Sequence, residues 1–494
     1  MNRLSRKISI VWVLIFFLYP TGTCCATAET GAVSSLQTTA SHLASSVSSS
    51  ATVVTTSVSP EDKHLVILVQ DAHCNLPVQR AIMHIVKTVN EKLTDDGTVA
   101  TPLVMQEGGM YGAVDTSILK EGKSAEELDG FLADELKAGR IGAAEFLHAK
   151  FGEFDFAGIE DPELYEKNYE AFMQLSRHEE DIVQFISTVR EKFEAIRALI
   201  SSDAFQEVYS LIEKARDPDG PREGYLTKMA LLVHQYSIPL DAYPVLRSLF
   251  ETMDNLAATD GIALRDELER LQAEASFQLP EKAEGFALGK ALANSSVSLE
   301  MYPALYRYRE LMRTVETTDA AALVAEKDAL EDELLLRVAA TDDERDLVTA
   351  LRAWNILEKL LQFQLTREEY DYYTASTANQ KEALVTTVMR FIQSYYVSYI
   401  LPPWFDTVYA AAQTFYTIVN DRDRVLAGNI ARLMKANNVP VAIAVTGGFH
   451  SDSIKDALRK QGMGVLVLQP SVERIDRDSM KKYSSVMRDM APVS

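Results

Sequence analysis

The sequence predicts an α/β fold: a mostly parallel central sheet flanked by helices and interrupted by a large all-helical insertion. Three observations lead there. Short, bulky, continuously apolar runs, such as HLVILVQ (64–70) and PVAIAVT (440–446), suit strands buried on both faces. Helix-patterned segments separate these runs, which requires crossover connections and parallel pairing. From Ala304 to Leu401 the chain has neither Gly nor Pro, a length that antiparallel helices joined by polar turns such as TDDE (341–344) would fill.

The elements follow in chain order. Arg3, Arg6 and Lys7 precede an apolar run from Ile8 to Leu18, and Ala26-Thr27-Ala28 offers small residues for cleavage, so residues 1–28 read as a secretory signal peptide. An uncleaved membrane anchor, or a lipid anchor at Cys24 or Cys25, is the alternative. Residues 29–60 are dominated by Ser, Thr, Ala and Val and read as a disordered linker. An α/β core is expected over 61–162 and 403–494, with the helical insertion or cap over 163–402. In the first block, HLVILVQ is followed by Asn75 and Pro77, a cap and a first-turn proline for a helix reaching about Leu93. PLVMQ (102–106) and FDFAGIE (154–160) supply two more strands, with short glycine-punctuated helices between them.

In the middle, Ile182, Ile186, Val189, Phe193, Ile196 and Ile200 recur every three or four residues, the seam of a packed helical hairpin. RDPDGPREG (216–224) interrupts the helices, which then resume. The second block has a long helix ending near Asn438, the strand PVAIAVT, a helix from SDSIKDALRK, and a last strand GVLVLQP (464–470).

Composition excludes some functions. The chain carries 49 Lys and Arg against 71 Asp and Glu, a net charge of −22, which repels a nucleic-acid backbone. Loss of the leader leaves Cys74 as the only cysteine, so no intramolecular disulfide forms. No later stretch has the length and apolarity of a membrane span. The expected location is periplasmic or secreted.

Chemistry gathers where strands end. In a parallel sheet the strand ends share one edge, and ligands bind in the crevice beyond it. The first strand ends in Gln70-Asp71-Ala72-His73, the second in Glu107-Gly108-Gly109, the third in Glu160-Asp161 and the fourth in Gly447-Gly448-Phe449-His450. The glycines would let backbone approach a ligand closely. Two imidazoles with one to three carboxylates suit Zn, Mn or Fe as divalent ions, with His73, Glu107, His450 and Glu160 as ligands. An open position on such an ion would activate water. Each residue also has a plainer reading: a capping or surface histidine, or, for Glu160-Asp161, a helix start before Pro162.

The segments QDAH, MQEGG, NDRDRVLAGNI and VTGGFH together resemble the superfamily joining erythromycin esterases, ChaN-like haem-binding proteins and TraB/TIKI proteins. That pattern has a GxxH after the first strand, a Glu after the next, an Arg-bearing late helix and a second GxxH. His73, Glu107, Arg422 and His450 stand at the matching positions, with Gly447 as the glycine of the second motif and Gln70 where the first has glycine. The likeness covers about 64–115, 152–165 and 418–470, leaving the helical middle outside it.

The resemblance implies a hydrolase, esterase- or peptidase-like, acting on a small-molecule or peptide substrate. It implies His73 and His450 as metal ligands or proton shuttles and Glu107 as ligand or general base. Arg422 would hold an anionic group or the developing oxyanion, with Asp423 orienting it or simply paired with it on an exposed helix face. Gly447 and Gly448 would approach a cofactor. The alternatives are a haem- or iron-binding protein using the same cleft, and a non-catalytic helical interaction protein. Glu145 and His148 share a helix face but lack the second copy a di-iron site needs. Cys74 reads as a small buried thiol.

Overall fold

The computed structural model describes residues 35–216, 224–257, 261–274, 292, 298–317, 320–365, 367–375, 378–472 and 479–489. The leader expected over 1–28 and nearly all of the 216–224 break lie outside the described residues.

Seven strands make one sheet: β1 (Ala51–Ser57), β2 (Leu65–Asp71), β3 (Leu103–Met110), β4 (Gly112–Ala113), β5 (Asp155–Glu160), β6 (Val441–Gly447) and β7 (Gly464–Pro470). Their order across the sheet is β1-β7-β2-β6-β3-β5-β4. The inner five run parallel, and β1 and β4 are antiparallel to their neighbours. The fold is therefore α/β, with a mostly parallel sheet flanked by helices and a large helical region.

Burial explains why the strands are apolar throughout. Leu65, Ile67 and Val69 join Val441, Ile443 and Val445 on one face, under Ile82, Ile85 and Val89 of the Leu76–Asp95 helix. Val66, Leu68, Ala442 and Ala444 face the other way, onto Leu426, Ile430 and Met434 of the Phe405–Ala436 helix. With helices on both faces, alternation has no polar side to show. Each large side chain so buried contributes about 1.5–3 kcal/mol. The Leu76–Asp95 helix starts as expected, with the Asn75 side chain accepting from the Val78 N–H and Pro77 in the first turn.

The linker expected over 29–60 needs correction. Ser35–Ser46 is a helix, and Ala51–Ser57 is the edge strand β1, paired along β7. Ala40, Leu43, Val47 and Ala51 are buried in the same core as β2. Average Ser/Thr content hid a local pattern: Ala40, Leu43 and Val47 step by three and four, and Val and Thr are good strand residues at a sheet edge. β1 also covers what would be an open edge of β7. Leu43 is only 2% exposed, so Leu43→Ala should cost about 2–4 kcal/mol in urea unfolding of the full chain. A change below about 0.5 kcal/mol, the range of a surface substitution, would mean this segment is not docked.

The chain divides into two compact units. Among the described residues, one comprises the sheet with residues from 35–188, 356–382 and 400–489, and the other includes residues from 189–355 and 383–399. The insertion expected over 163–402 thus starts too early, and residues 356–382 within it belong to the sheet unit. The Pro162–Ser176 helix packs on the Phe405–Ala436 helix, and Phe363 stacks on Phe172, all within the sheet unit. A run free of Gly and Pro marks helix but does not say which partner the helix packs against.

The second unit is helical where it is described. Glu331, 1% exposed, accepts from Arg216 at 2.9 Å, from Lys327 at 3.1 Å and from the Tyr225 hydroxyl. At the predicted TDDE turn, Thr341 and Glu344 form a reciprocal cap: the Glu344 N–H donates to Thr341 Oγ1, and the Thr341 N–H donates to the Glu344 carboxylate. Along the Glu179–Ile200 helix, Ile182, Ile186, Val189, Phe193 and Ile196 are buried as their spacing predicts. Among the described residues, no helix is long and apolar enough to cross a membrane.

Candidate functional site

Register assembles the site. In the β2–β6 ladder Asp71 stands opposite Gly447, and in the β3–β6 ladder Gln106 stands opposite Val445, so His73, Glu107 and Gly447 reach one rim. Beyond Gln106 the β3–β5 pairing slips, from Gln106 opposite Gly158 to Met110 opposite Glu160. The slip depends on glycine. Gly108 has φ +89, and a Cβ on Gly158 would overlap the Met110 carbonyl oxygen. A bulge of this kind redirects side chains locally, here at the strand carrying Glu107.

Each histidine is held by its own carboxylate. His73 Nδ1 lies 2.7 Å from Asp71 Oδ2, and His450 Nδ1 lies 2.5 Å from Asp423 Oδ1. A carboxylate only accepts, so both Nδ1 atoms carry hydrogen; His73 Nε2 is left for chemistry, and His450 Nε2 faces Glu107 Oε1 at 3.4 Å. Asp71 is itself fixed: Gln79 Nε2 donates to its Oδ1 at 2.5 Å, and Gln79 Oε1 accepts from the Ala143 N–H at 2.8 Å. The point where a Cβ on Gly447 would stand is 3.4 Å from His73 Nε2, 3.4 Å from His450 Cδ2 and 3.5 Å from Glu107 Oε2. Two imidazoles and a carboxylate thus surround a space one methyl group would occupy.

Arg422 ties the acids together. Its guanidinium donates to Glu160 Oε1 at 2.5 Å and to Glu107 Oε1 at 3.2 Å, all three side chains being buried. Glu107 is fully engaged, its Oε2 accepting from the Gly447 N–H at 2.7 Å and its Oε1 lying 3.4 Å from His450 Nε2. Burial works against its charge, yet His450, Arg422 and His73 outweigh burial and hold the carboxyl down at about 2. Glu160 differs: burial is its largest influence and its pKa is raised, with Oε2 left without a hydrogen-bond partner. For both histidines burial favours the neutral ring, but nearby carboxylates prevail. Asp71, then Glu107, lifts His73 to about 9, and Glu107 with Asp423 raises His450. The His73 side chain keeps 37% of its surface exposed, so it is the more accessible of the two.

All four expected ligands, His73, Glu107, Glu160 and His450, stand together with Arg422. One expectation changes. Arg422 Nη2 pairs with both glutamates and balances their charge, while its Nε has no hydrogen-bond partner. Asp423 is buried rather than exposed and binds His450, while Arg424 and Asp421 form an exposed pair on that helix. Gly447 is buried with its N–H committed to Glu107, whereas Gly448 is exposed and borders Gln70.

Among the described residues no three His, Cys, Asp or Glu side chains form a group that could hold a metal ion. Both glutamates already share a guanidinium, whose charge an ion would have to displace.

Some neighbours carried no signal in the sequence. The Tyr483 ring, from the Ser479–Asp489 helix, stacks on His73 with centroids 5.5 Å apart and planes inclined by 15°. Burial and the charge of Glu107 push its phenol up, and burial with Glu160 does the same for Tyr165. Cys74, just after His73, has φ +57, and its thiol is pushed up to about 11 by burial and by Asp71, which makes it a poor nucleophile.

No known family, curated protein or solved structure matches the chain.

Proposed function

We propose that the chain is an exported hydrolase that activates water by acid–base chemistry at His73, His450 and Glu107. The observation carrying this reading is the convergence of the three on the Gly447 space, each histidine backed by a carboxylate. In the form with one ring neutral, water seated there would lose a proton to that ring's Nε2 and bond to the substrate carbonyl carbon, while the other ring, charged, gives its Nε2 proton to the leaving oxygen or nitrogen as its bond to that carbon breaks. The Asp71 and Asp423 carboxylates fix the tautomers and stabilise the imidazolium formed. Glu107 stays ionised and orients the pair, with Arg422 balancing its charge. The likeness to the erythromycin esterase superfamily and the leader read over residues 1–28 support the same assignment. No step requires a metal ion.

Gly447→Ala tests it. Gly447 has φ −55, which any residue adopts, and the added methyl makes only ordinary contacts. The variant should fold like the parent yet lose about 10²-fold or more in hydrolysis, because the methyl takes the water's place. The assay uses carboxylic esters, amides and peptides, with and without a chelator. Full activity in the variant, or activity abolished by the chelator, overturns this mechanism.

A further inference from the structure

One short turn lies against both strand ends that carry the site. Residues 139–142 join the Ala125–Ala138 helix to the Ala143–Phe151 helix. Gly139, at φ +78, closes the first helix in the left-handed conformation, and the Arg140 N–H donates back to the Glu135 carbonyl at 3.0 Å. A Cβ on Gly139 would stand 2.5 Å from Cys74 Sγ, and one on Gly142 would stand 2.6 Å from Gln106 Nε2. The turn therefore meets the residue that follows His73 and the residue that precedes Glu107. All of these residues belong to the sheet unit.

The first amide beyond the turn connects to His73 through one side chain. The Ala143 N–H donates to Gln79 Oε1 at 2.8 Å, Gln79 Nε2 donates to Asp71 Oδ1 at 2.5 Å, and His73 Nδ1 donates to Asp71 Oδ2 at 2.7 Å. Gln79 is buried, so each end of its amide needs a partner of the right kind. A backbone N–H can only donate, which places the Gln79 oxygen toward Ala143 and its nitrogen toward Asp71. Both Asp71 oxygens then accept, one from Gln79 and one from His73. Glutamate of the same length would turn an oxygen on Asp71, and asparagine is a methylene shorter.

We propose that Gln79 is a positioning residue: the Ala143 amide sets its orientation, Gln79 sets the Asp71 carboxylate, and the carboxylate holds His73 with hydrogen on Nδ1 and Nε2 turned to the reacting water. The proposal deepens the hydrolase reading and rests on it for the effect on rate. Gln79 acts through Asp71 rather than on the substrate, as a partner that fixes a histidine's tautomer from a distance.

Ala143→Pro is the decisive variant. Ala143 is the first residue of its helix, a position that suits proline, and Gly142 before it has φ −90 and ψ 171, the extended backbone that precedes proline. The change removes the N–H that orients Gln79 and leaves Gln79, Asp71 and His73 in the chain. Gln79→Met removes both amide contacts at similar volume. In the full chain carrying isotope-labelled histidine, proton NMR reads the Nδ1–H resonances of His73 and His450, assigned by their loss in His73→Gln and His450→Gln. Both test variants should lose the His73 resonance to exchange and keep that of His450. For an ester that the parent hydrolyses, kcat should fall by about 10–10²-fold with KM within about threefold.

A His73 resonance that persists in either folded variant overturns the proposal, as does its absence from the parent or the joint loss of both resonances. If one variant fails to fold by circular dichroism, the other decides by the same criteria; failure of both makes Gln79 a support of the fold and overturns the proposal. Undiminished hydrolysis in variants that have lost the His73 resonance overturns the positioning role and leaves the hydrolase reading intact. The expected resonance pattern in a parent that hydrolyses no ester, amide or peptide supports the positioning and overturns the hydrolase.

Discussion

Arg422→Leu should destabilise the protein by about 3–5 kcal/mol at neutral pH, the cost of leaving buried charge without its partner. Glu107 and Glu160 are 8% and 0% exposed and share this one guanidinium, so its loss sets two carboxylates against each other in a medium that solvates neither. Acid should relieve the defect. Glu107 has its pKa lowered to about 2 in the folded protein, so its favourable contribution is complete above the ordinary carboxylate value near 4.5 and is lost as pH falls through 2. The variant lacks one of the cations responsible and therefore has less to lose. The stability gap between parent and variant should narrow between about pH 5 and pH 2.5, read by urea unfolding at each pH. A gap independent of pH would mean that Arg422 contributes packing rather than charge.

The second large effect concerns rate. Glu107→Gln preserves shape, and its amide oxygen can still accept from the Gly447 N–H. Its amide nitrogen, however, then faces the donors of Arg422 and His450, and the negative charge that keeps the imidazoles protonatable is gone. kcat for whichever ester proves to be a substrate should fall by about 10²–10³-fold, with a far smaller change in KM. Loss of the charge should also lower the pKa of both histidines, moving the pH–rate profile toward acid. A rate within threefold of the parent at every pH would reduce Glu107 to a structural anchor.

These effects concern residues that were legible before any coordinates. Strands covered on both faces announce themselves as bulky apolar runs, and β2, β5, β6 and β7 begin and end within one residue of expectation. His73, Glu107, Glu160 and His450 were recognisable because the period of a strand tells where it stops, and parallel pairing sends every stop to one rim. Other features depend on information that a one-dimensional pattern lacks. Whether Asp423 meets Arg422 or His450 is decided by the rotation of the Phe405–Ala436 helix about its axis. Tyr483 is one residue of a short helix near the chain end, and its contact with His73 exists only once that end folds back. The Ser35–Ser57 region was hidden by its Ser and Thr content, because three well-spaced apolar residues suffice to dock a helix whose average composition is polar.

The strand order also bears on how the molecule is made. β2 and β3 are successive in the chain, yet β6 stands between them and hydrogen-bonds to both. During synthesis the first three parallel strands emerge with a slot whose occupant is several hundred residues away, still unmade or inside the ribosome. Until residues 441–447 arrive, two interior edges offer unpaired backbone groups to any passing strand. Assembly must wait until β6 has been made, and a chain stalled upstream of it would be the form most in need of a chaperone.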